Sequence, residues 1–183
     1  MSLESETEII RWYEPLLVPG LLQTAEYAAA VLRRVIDFYE VPDDVDAGVA
    51  TRMRRQQILY EPGHRFHFVM AQQALRTVVG GPEVMAGQFD RLLSVMSLTR
   101  VRLGIVPDRV PYMVPSNQFI IFDDRLVQVE AVSAEISVTQ PREIALYRRS
   151  FASLAESALY GVAARELITA EVEELSTARE RPG

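Results

Sequence analysis

Apolar positions alternate at Phe66, Phe68 and Met70 and again at Val101, Leu103 and Ile105, a period of two that predicts strands with one apolar face. Phe119–Phe122 is apolar on both faces and is expected to be a central strand. Asp123-Asp124 predicts a tight turn into a partner at Leu126–Val132, and Ile136 and Val138 offer a last short strand. Elsewhere the period lengthens to three and four. Thr24 is a good N-cap for a helix over Ala25–Tyr39. Pro42-Asp43-Asp44 opens a second helix that runs to about Tyr60, where Pro62-Gly63 ends it. Gly80-Gly81 introduces a third from Pro82 to about Ser97, with Met85, Phe89, Leu92 and Met96 on one side. Two closing helices follow from Ile144, Tyr147, Phe151, Leu154 and Ala158, then from Ala164, Ile168, Val172 and Leu175. Each carries an apolar stripe, and at least one is expected to keep surface for self-association.

The start is less regular. Glu4 to Tyr13 reads as the end of a helix, with Ile9, Ile10 and Trp12 apolar and Pro15 as its stop. Between Glu14 and Glu26 lies an uncharged run, "PLLVPGLLQTA", broken by two prolines and a glycine. The segment Pro15–Leu22 is therefore expected to be a buried plug joining two helices. The order of elements predicts an α+β domain: a small mixed or antiparallel sheet of about four to five strands, covered by N- and C-terminal helices. One domain over residues 4–177 is expected, with Met1-Ser2-Leu3 as an expression scar and 178–183 as a flexible tail.

Composition narrows the chemistry. The chain has 183 residues, 49% apolar and 24% charged, which is ordinary globular usage. It has no Cys, which excludes disulfides, thiolate zinc and a Cys nucleophile. All 19 basic residues are Arg, so no P-loop or Schiff-base lysine exists. A net charge of −6 suits nucleic acid poorly. No segment reads as a signal peptide or membrane span.

His64 and His67, three apart beside a strand, point to opposite faces and share no metal. Gly80-Gly81-Pro82 lacks phosphate-loop spacing and reads as a helix start. Arg52, Arg54 and Arg55 read as a solvated helix face. Glu130 and Glu135 flank a bend and are weighed as a hydrolytic carboxylate pair. Glu130 alone, between apolar neighbours, reads better as a half-buried carboxylate contacting an Arg. No G-x-S-x-G elbow occurs. Polar groups embedded in apolar segments mark Gln23, Tyr27, Arg55, Gln56 and Glu130 as candidate ligand- or partner-binding residues. No catalytic residue, metal site or cofactor is expected.

The blocks "RWYEPLLVPGLLQTAEYAAAVLR", "RMRRQQIL", "VGGPEVMAGQFDRLL", "VRLGIVP" and "VQVEAVSAE", in that order, resemble the C-terminal domain of WhiJ-like Xre (Cro/C1-type) helix-turn-helix regulators of actinobacteria. The resemblance covers about Glu4 to Leu175. It implies a cytoplasmic regulatory domain that receives a signal or a small acidic partner protein, or mediates homodimerisation. DNA binding would belong to an N-terminal helix-turn-helix absent from this chain. The alternative class is a small-molecule receptor or cryptic enzyme with a pocket between sheet and helices.

Overall fold

The computed structural model describes residues 3–111, 113 and 117–180, with no side chains beyond 177. Its centre is the segment Ile9–Glu14, which is strand β1 and not a helix end; only Glu4–Glu6 forms a single 3-10 turn. Consecutive β-branched and aromatic residues favour a strand here. Two neighbours decide the matter, since β1 pairs in parallel with β2 (Arg65–Ala71) and antiparallel with β4 (Phe119–Phe122).

With β3 (Val101–Val106), β5 (Leu126–Ala131) and β6 (Ala134–Val138), the sheet has six strands in the order β3-β2-β1-β4-β5-β6. It is mixed, and one strand larger than the expected four to five because Ile9–Glu14 is a strand and not a helix end. One half, β3-β2-β1, is parallel, whereas β4, β5 and β6 form an antiparallel meander. The β4–β5 turn is Asp123-Asp124, both left-handed at φ 48° and 56°. Asp123 also ties down the start of β1: its Oδ1 accepts from Ile9 N at 2.6 Å and its Oδ2 from Glu8 N at 3.0 Å.

The helices are α1 (Ala25–Tyr39), α2 (Val45–Arg55, prolonged by a 3-10 turn to Tyr60), α3 (Gln73–Arg76), α4 (Pro82–Val95), α5 (Pro141–Ser157) and α6 (Gly161–Glu180). Thr24 caps α1 as expected, its Oγ1 accepting from Tyr27 N at 3.1 Å. Strand alternation sends Ile10, Trp12, Phe66, Phe68, Met70, Leu103, Ile120 and Phe122 to one face, under Leu22, Tyr27, Met85, Phe89 and Ile168. Tyr13, Val69, Phe119, Ile121, Val127 and Val129 line the other, under Ile144, Phe151 and Leu154 of α5.

Between α5 and α6 the chain crosses from the second face to the first around β3. There Leu159 and Ile105 exchange backbone hydrogen bonds of 2.8 and 2.9 Å, which covers an otherwise open edge. Arg76 then clamps α6, its Nε donating to the buried Glu171 at 2.8 Å. Both closing stripes are consumed internally: Ile144, Phe151 and Leu154 on α5, Ala164 and Ile168 on α6 are buried. Among the described residues of these helices, the exposed large apolar side chains are Leu146 and Val162, which stand singly and form no continuous stripe. The helix α6 reaches Glu180, past the start of the expected tail; residues 181–183, and Met1 and Ser2 of the expected scar, lie outside the described residues.

The Pro15–Leu22 segment joins a strand to a helix, not two helices. Val18, Leu21 and Leu22 are buried, Leu17 is half-buried, and Leu16 is 56% exposed. A buried irregular segment must still satisfy its peptide groups. Side chains do this. Gln23 Nε2 donates to Val18 O at 2.7 Å, Gln56 Nε2 to Gln23 O at 2.7 Å, and Gln88 Nε2 to Leu22 O at 2.9 Å. Gln88 Oε1 accepts from Thr24 N at 2.8 Å, and the Tyr27 hydroxyl accepts from Val18 N at 3.3 Å.

Candidate functional site

Where β1 ends, the sheet changes from parallel to antiparallel, and the chain leaves toward α1 while β4 occupies the other side. Switch points of this kind open crevices at strand ends. Here the crevice is a cleft of about 420 Å³. Its floor is the first face of the sheet: Trp12 and Glu14 of β1, Ile120 of β4, Gln128 and Glu130 of β5 and Glu135 of β6. Its roof is Val31, Leu32 and Val35 of α1 with Arg52 and Arg55 of α2.

The floor residues share a face by register. Trp12 stands opposite Ile120, Ile120 opposite Gln128, and Glu130 opposite Glu135. Two carboxylates placed directly across a ladder repel each other. Glu135 Oε1 accepts from Gln128 Nε2 at 2.9 Å; among the described residues, no Arg lies within ion-pair distance of either carboxylate. Glu14 is held at the base of the cleft, where its Oε1 accepts from Trp12 Nε1 at 3.0 Å. Burial first, and then the charge of Glu130, push its carboxyl up to about 8, against the opposing pull of the Trp12 hydrogen bond and Arg52. The neutral form of Glu14 is thus favoured well above the usual carboxylate range.

Arg52 supplies the opposite charge. Its Nη1 donates to Gln23 Oε1 at 2.6 Å, and no carboxylate lies within 4 Å of it among the described residues. Burial and the nearby Arg55 lower its pKa. Arg55, by contrast, is already paired with the buried carboxylate of Glu4.

The five residues singled out in the sequence divide. Gln23, Arg55 and Glu130 line the cleft. Tyr27 and Gln56 do not; they stand behind its wall and hold the Pro15–Leu22 connection. Burial raises the Tyr27 phenol to about 12. Glu130 is exposed and, among the described residues, pairs with no Arg, which corrects the half-buried ion pair expected for it: the cleft lies between it and the arginines of α2. Glu14 was not among the residues singled out, and Arg52, expected on a solvated helix face, is half-buried and lines the cleft. A lone Glu followed by Pro, at the edge of an uncharged run, was the available signal for the first.

The two histidines lie elsewhere. His64 precedes β2, with its Nδ1 2.7 Å from Thr7 O. His67 sits on the second face, in the cross-strand row Arg11–His67–Arg102, with its Nε2 2.9 Å from the Tyr160 hydroxyl. Since that hydroxyl donates to Ala155 O at 3.1 Å, Nε2 carries the imidazole proton. Burial first, then Arg102 and Arg11, lower His67 to about 4. A cleft of about 250 Å³ beside it is flanked by Arg11 and Arg148, which share Asp124 at 2.8 and 3.5 Å. Arg102 stacks on Tyr160, 4.3 Å from the ring centroid. No group of three or more His, Asp or Glu among the described residues is placed to hold a metal ion.

Taken together, the first-face cleft offers an acid, two carboxylates, an unpaired guanidinium and several amides around a space of ligand size. Among curated proteins no match is found. By the match of its residues 1–170, the chain belongs to the family described as Domain of unknown function (DUF5753).

Proposed function

We propose that this chain is the signal-receiving regulatory domain of an Xre-type transcriptional regulator acting in the cytoplasm. The DNA-reading helix-turn-helix would be carried outside these residues, and the signal would be a small polar molecule that enters the first-face cleft. The observation that carries this reading is the cleft itself: polar groups from β1, β5, β6 and α2 converge on about 420 Å³ between sheet and helices. The blocks resembling WhiJ-like regulators support the regulatory setting. Net charge −6 makes DNA an unfavourable ligand for this chain alone. No helix among the described residues is long and apolar enough to cross a membrane.

The cleft is also wired to the chain's first turn. Arg55 on its rim pairs with Glu4, and Arg52 is tied through Gln23 to the connection that follows β1. A ligand that engages Arg52 competes with the Gln23 hydrogen bond, and so bears on the placement of α2 and, through it, Glu4–Glu6. That is a route by which occupancy could reach a segment joined there.

Native mass spectrometry after incubation with cell metabolite extract tests the reading. The wild-type chain should retain a small molecule that Val35→Trp, which fills the roof, does not. Equal retention by both, or by neither, would overturn it. Specific retardation of promoter DNA by this chain alone would overturn the assignment of DNA binding to another segment.

A second surface supports a partner protein. Across Leu17, Val31 and Val35, which line both spaces, α1 and Thr77–Gly80 enclose an open groove of about 1000 Å³, in which Phe38 and Val78 are each 67% exposed. Arg33 and Arg34 line it beside a single acid, Asp37, so a partner with acidic residues around an apolar stripe is the complementary occupant. Titration with an acidic amphipathic peptide should shift NMR signals of α1 and Thr77–Gly80, and Phe38→Asp should abolish the shifts. Unmoved signals would remove this reading.

A further inference from the structure

We infer that the first-face cleft is a site for a small zwitterion, a compound carrying an ammonium and a carboxylate. This rests on the cleft being the signal site, and it names the chemistry of the signal. The two ends of the cleft carry unmatched charge of opposite sign. At the α2 end, Arg52 presents a half-buried guanidinium with one hydrogen bond, to Gln23, and no carboxylate within 4 Å among the described residues. A guanidinium has five donors in a fixed fork, and its natural complement is a carboxylate held by two of them.

At the sheet end the imbalance is reversed. Glu130 and Glu135 face each other across the ladder, and no Arg among the described residues pairs with either. An ammonium placed there relieves the repulsion and satisfies two carboxylates with two of its three donors. The fold does not require this pair for packing, since both residues are exposed and β6 is an edge strand. Between the two ends lie apolar and amide surfaces, Trp12, Ile120 and Gln128, suited to a short carbon skeleton. A purely anionic ligand would meet Glu130 and Glu135, and a purely cationic one would meet Arg52. Only a molecule with both charges matches both ends.

Glu14 adds a recognisable consequence. It lines the same cleft, and the charge of Glu130 adds to the burial that raises its pKa. An ammonium at Glu130 screens that charge, so binding favours release of the Glu14 proton.

The test is thermal denaturation and calorimetry with the twenty standard amino acids, 6-aminohexanoate, hexanoate and hexylamine. At about ten times its dissociation constant, a matching zwitterion should raise the unfolding midpoint by about 3–6 °C. Hexanoate and hexylamine should not. Glu130→Gln and Arg52→Gln should each weaken binding by about tenfold or more, and the exposed Glu130 variant should remain folded and so keep the test valid if Arg52→Gln unfolds. Binding should also release protons at pH 7, read as a dependence of the apparent enthalpy on buffer, and Glu14→Gln should lose that dependence. Hexylamine or hexanoate binding as well as its amino-acid counterpart would overturn the zwitterion while leaving a receptor cleft standing. Failure of every zwitterion would do the same if extract still delivers a molecule that Val35→Trp excludes. Binding unchanged by Glu130→Gln and Arg52→Gln would place the ligand elsewhere and overturn the inference.

Discussion

Glu14 and His67 sit on neighbouring strands and opposite faces of one sheet, and desolvation pushes both toward their neutral forms. Glu14 rises to about 8 and His67 falls to about 4. Their surroundings differ. The ring of His67 lies edge-on to Phe151 with centroids 4.9 Å apart, its Nε2–H donates to the Tyr160 hydroxyl, and the cations beside it are paired or stacked. Glu14 has one hydrogen bond, a cleft above it and unmatched charges on either side. Burial alone discharges a titratable group. What separates a site from a satisfied interior is vacant space bordered by charges without partners.

That contrast can be broken first at the lid over His67. Phe151 is buried against both His67 and Phe119. Phe151→Ala should cost about 3–5 kcal/mol in chemical denaturation and move the His67 titration, followed by NMR, upward toward 6.5. An unmoved titration would mean that α5 is not the source of the desolvation.

Next comes Glu14. Its folded pKa lies above its unfolded value, so the native state holds a proton that the unfolded chain has lost between about pH 4.5 and 8. Stability should therefore fall as pH rises through that window, by about 2–4 kcal/mol once partial solvation is allowed for. Glu14→Gln should flatten this limb and be the more stable protein at pH 9. A parallel pH profile in the variant would contradict the placement of Glu14.

Packing density offers a smaller contrast. A Cβ on Gly104 would lie 2.6 Å from the Tyr160 ring, whereas one on Gly20, in the cleft wall, would meet Trp12 at 3.4 Å. Gly104→Ala should cost about 1–3 kcal/mol as Tyr160 is displaced. Gly20→Ala should change stability by less than about 0.5 kcal/mol. Similar losses at both would erase the distinction between a packed and an open face.

The smaller of the two pH effects belongs to His67. Its folded pKa lies below the unfolded value, so the unfolded chain binds the extra proton between about pH 6.5 and 4, and stability should fall on acidification through that range. With the group partly solvated, about 1 kcal/mol is expected, and His67→Gln should remove it. The two faces thus contribute pH slopes of opposite sign. An acid limb unchanged by His67→Gln would assign it to carboxylates elsewhere.

Local signals were enough for most elements. Thr24 at the start of α1, the Gly80-Gly81-Pro82 entry to α4, the Asp123-Asp124 hairpin and the stepping of Ile144, Phe151 and Leu154 all depend on residues near one another in sequence, and each appears where its pattern places it. For the same reason three of the five candidate site residues were legible. A polar side chain within an apolar run needs a partner, whatever the fold.

Tertiary structure decided what depends on distant neighbours. Whether Ile9–Glu14 is helix or strand turns on β2 and β4, more than fifty and a hundred residues away, since apolar spacing over so short a run fits both. Once β1 is a strand, Glu14 faces α2 instead of solvent, and Arg52 becomes part of a cleft and not of an exposed helix face. The sequence alone determined which groups would be costly to bury. Their pairing was decided only when the sheet brought β1, β5 and α2 together, because charge matching is a property of distance in space and not along the chain.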